Sequence, residues 1–466
     1  MIGDHVVPSK RVGEPSTRRS GRLNASRYAI ALRLLALTGG VQLLAGCATY
    51  SDTIHELEVA VVRNNPGPAI TQLEQKPGSL RDEVLRQLNL AILLRINGEY
   101  QRSNTALEAA KALIAQREVV SLTEQASTLV INEAMTSYIG ADFEQAMIHF
   151  YGALNYLQLG QPYEARVEAL QADLLLQRLA QKNPDDPHIY AEDALGRYLA
   201  GMIFEDLGQW SDALIAYRKA FEAYQRYRTT FGVPVPTFLK QDLLRLTEQQ
   251  GLDDEFRDYQ KQFELSDWPR FDAWRGQGEV VFLLHAGLAP VKQSRVLRVI
   301  EPRHGQLISV ALPAYASQPD PVRAVELRAD SLSVRAERVQ DIGAIAERSL
   351  EARIPLLTAK AVGRASLKYN ITRRTEAQEG GIAGLLVNVI GAFTEVADTR
   401  SWITLPDNVY LARLPLAPGI YTVNVQVSGS LGDGPQQFTF DNVTVRAGRK
   451  VFLEKHWAPR VRGGSL

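Results

Sequence analysis

The apolar residues of this chain change their spacing once, near Trp268-Pro269, and that change limits the fold more than any single motif does. From residue 50 to about 265 they recur at helical intervals of three and four; after Trp274-Arg275-Gly276 they alternate. A helical stretch followed by a strand-rich stretch implies an α+β fold. At 466 residues the chain exceeds what one core usually supports. The expected division is a helical repeat domain over 47–268 and a β-rich, sandwich-like domain over 276–458 with a helical insertion over 341–397.

Within the helical half, Gly201, Phe204, Gly208, Trp210, Ala213, Tyr217 and Ala220 fall at tetratricopeptide spacing. Small residues at 201 and 213 let two antiparallel helices approach, Gly208 turns the chain, and Trp210 and Tyr217 fill the gaps. Looser copies surround Gly98, Phe143 and Gly160. Their turn glycines stand more than one 34-residue period apart, so a helical solenoid with inserted helices is expected. The Asn183-Pro184-Asp185-Asp186-Pro187 insert lacks the alternating oxygen ligands of a calcium loop and reads as a solvated turn.

Stacked helix pairs create a concave groove, and grooves of this kind hold a peptide or a partner's helix. The alternative is that the array simply packs against the second half. Tyr151, Asn155, Tyr156 and Arg166 are the candidate lining for a protein partner.

In the second half, Glu279–Leu284 suits a central strand, and further strands are expected at 307–312, 322–327, 332–336, 409–413, 420–427, 437–440, 443–445 and 450–453. A long interruption separates the first group from the second. Seven basic residues between Arg348 and Arg374 face one acid, Glu351, and Lys360, Arg364 and Lys368 recur at i, i+4. The uncharged run Gly380–Phe393 follows and is too short to cross a bilayer. This region reads either as a helical hairpin covering the strands or as a basic and apolar surface for anionic lipid, wall polymer or a partner.

Ahead of both halves, a basic lead (Arg18, Arg19, Arg22, Arg27) and an apolar run end at Leu44-Ala45-Gly46-Cys47, which contains the only cysteine. Residues 1–46 have the layout of a secretory signal. The box resembles the bacterial lipoprotein signal, and that resemblance implies cleavage before Cys47 and lipidation of its thiol. Ala48, where an aspartate would mark inner-membrane retention in enteric bacteria, favours the outer membrane. Several acyl chains anchor far more firmly than one marginal chain.

Lysine plus arginine number 52 and so do aspartate plus glutamate. With no net charge there is no field to recruit nucleic acid, and none is expected as a partner. Nucleophile elbows, phosphate loops and dinucleotide turns are absent, and the histidines stand singly, without a metal-ligand interval such as His-Glu-x-x-His. No cofactor, metal or catalytic residue is expected.

Leu154-Asn155-Tyr156-Leu157, Gly208-Gln209-Trp210, and Ala397–Pro406 with Ala412-Arg413-Leu414 together resemble an uncharacterised family of bacterial repeat-bearing lipoproteins, over most of the mature chain. Its members are similar in setting to the lipoproteins that activate penicillin-binding proteins. The resemblance implies a periplasmic, outer-membrane-anchored adaptor for an envelope protein. A second reading is peptidoglycan or glycan binding through Asp398, Arg400 and Trp402 or the basic helix, and a third is a hydrolase without a recognisable motif. Asp398 and Arg400 read more simply as an ion pair that fixes the junction between helix and strand.

Overall fold

The computed structural model describes residues 54–76, 78–124, 133–182, 192–300, 307–316, 319–379, 397–429 and 434–460. Cys47 and its leader, the 183–187 turn and the apolar run 380–393 lie outside the described residues. Helices and strands fold into one compact unit over Glu56–Leu466.

After a short helix α1 (Gly67–Gln75), the helical region consists of four antiparallel pairs. They are α2 (Glu83–Ile96) with α3 (Tyr100–Glu124), α4 (Asp142–Gln158) with α5 (Pro162–Lys182), α6 (Ala194–Asp206) with α7 (Trp210–Thr230), and α8 (Thr237–Gln249) with α9 (Asp253–Phe263). Each pair turns on a glycine with φ between +69° and +79°, at 98, 160, 208 and 251. At every turn the glycine N–H bonds the carbonyl three residues back and the next N–H bonds the one five back. This C-cap needs a left-handed residue, which glycine supplies without a Cβ clash. The fourth turn, at Gly251, has no aromatic residue two or three positions on and so escapes the sequence pattern. Among the described residues the short 3-10 helix Glu133–Met135 is what stands between pairs; α3, α5 and α7 are themselves long, at 25, 21 and 21 residues.

Close approach within the third pair is visible at Gly201, where an added Cβ would stand 2.2 Å from the ring of Tyr217. That ring is buried, packs edge-on to Tyr198 and donates to Glu205 at 2.9 Å, so it cannot withdraw. Gly201→Ala is therefore expected to lower unfolding free energy by about 1–3 kcal/mol despite alanine's better helix propensity. A urea titration unchanged from wild type would mean that Tyr217 has another rotamer to occupy.

A short helix α10 (Phe271–Gly276) leads into the strands: β1 (Gly278–Ala286), β2 (Lys292–Ile300), β3 (Leu307–Tyr315), β4 (Val322–Ala329), β5 (Leu332–Arg335), β6 (Glu337–Asp341), β7 (Asn408–Leu416), β8 (Gly419–Gly429), β9 (Gln436–Val445) and β10 (Lys450–Trp457). They form one sheet in the order β10-β1-β7-β6, a second in the order β5-β4-β8-β9, and a β2-β3 ribbon. β1 pairs parallel with β10 and antiparallel with β7. Val280, Phe282, Leu284 and Ala286 share a core with Val325, Leu327, Val423, Val425 and Val427 of the second sheet. β2 carries Arg295 and Arg298 among its apolar residues, which hides it from a reading by alternation.

Where a helical hairpin was expected over 341–397, the described part is a single helix α11 (Ile342–Glu379) containing Pro355. Asp341 caps its start by accepting the N–H of Ala344 at 2.8 Å. Its Leu350, Ile354 and Leu357 pack on Leu312 and Tyr315 of the ribbon. Arg348 and Arg353 on this helix are exposed, and Arg348 bonds Glu351. Among the described residues no helix is long and apolar enough to cross a membrane.

Candidate functional site

β1 is buried along its whole length, because both of its faces are covered. One face meets the second sheet. The other bears Glu279, Val281, Leu283 and His285, together with Arg413 on β7 and Lys450, Phe452, Glu454 and His456 on β10. This polar face is turned to the helical array, so the array's inward side is occupied by the chain's own sheet.

Two clusters join the layers. In the first, Arg413 donates from Nε and Nη2 to both oxygens of Glu279 at 2.8 Å, and from Nη1 to Tyr198 at 2.6 Å and to Asp242. Lys450 bridges Glu279 at 2.6 Å and Glu205 at 2.9 Å. Arg245 ties Glu205 to Asp242, the latter at 2.6 Å. Three carboxylates and three cations thus balance with all six side chains buried. Trp274 lies against the cluster, 4.7 Å from the Arg245 guanidinium and 4.8 Å from Lys450 Nζ. Burial pushes the Glu279 carboxyl upward, but Arg413 and Lys450 outweigh it and hold the group at about 2.

The second cluster surrounds Tyr151. His285 and His456, brought side by side by the parallel pairing of β1 and β10, stack with centroids 4.4 Å apart and planes 15° from parallel. Tyr151 lies 3.4 Å from His285 Nδ1 through its hydroxyl and packs on Trp402. Arg95 pairs with Glu454 and Asn155, and Glu454 stands 3.5 Å from His285 Nε2. Burial, reinforced by Arg95, lowers the pKa of His285, and burial together with His285 itself lowers that of His456 further.

A strap over 397–407 completes the junction. Arg400 forms a two-pronged pair with Asp398 at 2.8 and 2.9 Å, reaches Asp82 on the helical side at 2.9 Å, and donates to the Thr136 carbonyl at 3.0 Å. The Trp402 amide donates to Glu144 at 2.7 Å, and Thr404 donates through its hydroxyl to Asn89 at 3.0 Å.

Of the residues expected to meet a partner, Tyr151, Asn155, Arg400 and Trp402 are buried inside this junction. Asp398 is half-buried in its pair with Arg400, and Tyr156 and Arg166 are half-buried on the array. Glu205, Asp242, Arg245, Glu279 and Lys450 were not singled out from the sequence. The available signal was a charged residue inside an apolar strand run: Glu279 opening β1 and Arg413 in the middle of β7. Among the described residues no group of three or more metal-ligating side chains converges.

No family model matches the chain, and no curated protein matches it. Among solved structures, MamA AMB-1 aligns at 17% identity and a TM-score of 0.28 over 46% of this chain and 89% of its own. A Podosopora anserina putative kinesin light chain with nearly identical TPR-like repeats aligns at 17% identity and a TM-score of 0.29, over 46% and 92%. Scores this low carry no argument, and the repeat character of the helical region rests on its own turns.

Proposed function

We propose that this chain is a non-enzymatic scaffold of the bacterial envelope, tethered by lipid on Cys47 to the periplasmic face of the outer membrane and docking protein partners on its outer surfaces. The observation that carries this reading is the occupied inward face of the helical array. A groove filled by its own sheet, through balanced ion pairs, leaves a body whose outward faces are the surfaces available to a partner. The helical division over 47–268 and the β-sandwich division over 276–458 are, in this reading, two modules fused by the charge network. Asp398, Arg400 and Trp402 act as structural fasteners here, which removes the main support for glycan recognition at that cluster.

Metabolic labelling with a fatty-acid analogue is expected to mark the wild type and leave Cys47→Ala unlabelled; equal labelling would reject the anchor. Copurification from crosslinked envelopes tests the scaffold, with a defined protein expected at stoichiometric yield. Retention on isolated peptidoglycan sacculi without protein would replace it with wall-polymer binding.

A further inference from the structure

The four glycine turns set the second helices of the pairs in a common frame. Counted from each glycine, positions three, seven, ten and fourteen residues later point out of the array. In the first pair these are Gln101, Thr105, Glu108 and Ala112, in the third Ser211, Ile215, Arg218 and Glu222, and in the fourth Asp254, Asp258 and Lys261. The second pair breaks this pattern of mostly polar residues. Its Tyr163, Val167, Leu170 and Leu174 are 62%, 46%, 49% and 59% exposed. A solvent-facing helix surface is normally polar, whereas large apolar residues at steps of four, three and four form a coiled-coil seam. Ile215, at the place of Val167 in the next pair, is 49% exposed and belongs to the same outward face.

We propose that this seam on α5 is the contact surface for a second copy of the chain, docked antiparallel about a two-fold axis. The steps of the seam read the same in both directions, so Tyr163 meets Leu174 of the second copy and Val167 meets its Leu170. A two-fold interface demands that self-complementarity. Charge agrees with it: Arg166 and Asp173 flank the seam on the same side, so antiparallel docking sets each Arg166 against the other copy's Asp173, twice per dimer. Arg166 is half-buried, and its enclosed Nε has no hydrogen-bond partner among the described residues. Asp173 already takes Lys219 at 2.8 Å and Gln177 at 2.9 Å, and a carboxylate has acceptor sites to spare. A parallel copy would place Arg166 against Gln171 and lose both ion pairs. Three helical turns bury less than the roughly 1,200 Å² of a stable complex, so the dimer depends on concentration.

Sedimentation velocity of the full chain across two decades of concentration is expected to show reversible dimerisation. Leu170→Glu should weaken it by roughly a hundredfold, because two apolar contacts are lost per dimer. Its circular dichroism and thermal midpoint should not move, since the position is open to solvent in the single chain. Thr105→Glu, on the same outward face of the first pair, should leave the dimer intact. In a Cys47→Ser background, Val167→Cys chains mixed with Leu170→Cys chains should form an intermolecular disulfide faster than either variant alone. A wild type that stays monomeric, or a Leu170→Glu variant that dimerises normally, overturns the proposal. Crosslinking no faster in the mixture overturns the antiparallel arrangement.

Discussion

Arg413→Ala is expected to cost about 3–5 kcal/mol of folding stability, the largest effect of any single substitution in the junction. The guanidinium is buried and satisfies Glu279 twice, Asp242 and Tyr198 at once. Its removal leaves two carboxylates in a dry interior with one cation too few. The loss comes from abandoning partners more than from the worth of the pair, so removing both ends should be milder. In Arg413→Met combined with Glu279→Met, two acids, Glu205 and Asp242, still face two bases, Arg245 and Lys450, and much of the deficit should return. Urea unfolding of the two single variants and the double variant measures the coupling. A single variant within about 1 kcal/mol of wild type would show that the helices and the sheet can adjust around an unpaired charge.

Acidification gives the second large effect, with the stacked histidines as its source. Both have pKa values held below the ordinary 6.5, so the folded chain refuses protons that the unfolded chain accepts. Stability is then full above about 6.5 and falls as the pH drops below it, by about 1.4 kcal/mol per pH unit for each histidine. Among the described residues, the groups facing the pair are Arg95, Lys455 and Tyr151, with Glu454 as the nearby anion. Glu279 acts lower on the scale. Its folded value of about 2 lies below the ordinary 4.5, so its contribution is present above 4.5 and disappears as the pH falls toward 2. Unfolding midpoints between about pH 7.5 and 5 should therefore decline steeply in wild type. The slope should fall by about half in His456→Gln. Comparing slopes cancels any constant cost of the substitution, and an unchanged slope would assign the acid sensitivity to other groups.

Local chemistry was readable in the sequence and long-range pairing was not. Gly208 and Trp210 announce a helical turn because φ and close packing are decided within a few residues. Apolar alternation likewise reveals β4, β7 and β8, each of which buries a defined set of side chains. Asp242, by contrast, meets Arg413 across 171 residues, and neither position alone indicates that it is buried. His285 and His456 look solitary because only the parallel register of β1 with β10 makes them neighbours. The sequence pattern puts Tyr151 and Asn155 on a groove lining, and they do face inward; what occupies that side is the same polypeptide.

The parallel pairing of β1 with β10 also has a kinetic consequence. Helix pairs close through nearby residues and can assemble while the polypeptide is being made. The middle of the sheet, however, needs residues 278–286, 408–416 and 450–457 together. Until the last of these emerges, Glu205 lacks Lys450, and until β7 emerges Asp242 lacks Arg413, so a nascent chain carries unneutralised carboxylates on an open helical surface. Such late closure, with its high contact order, slows folding and prolongs the loosely packed state of the chain.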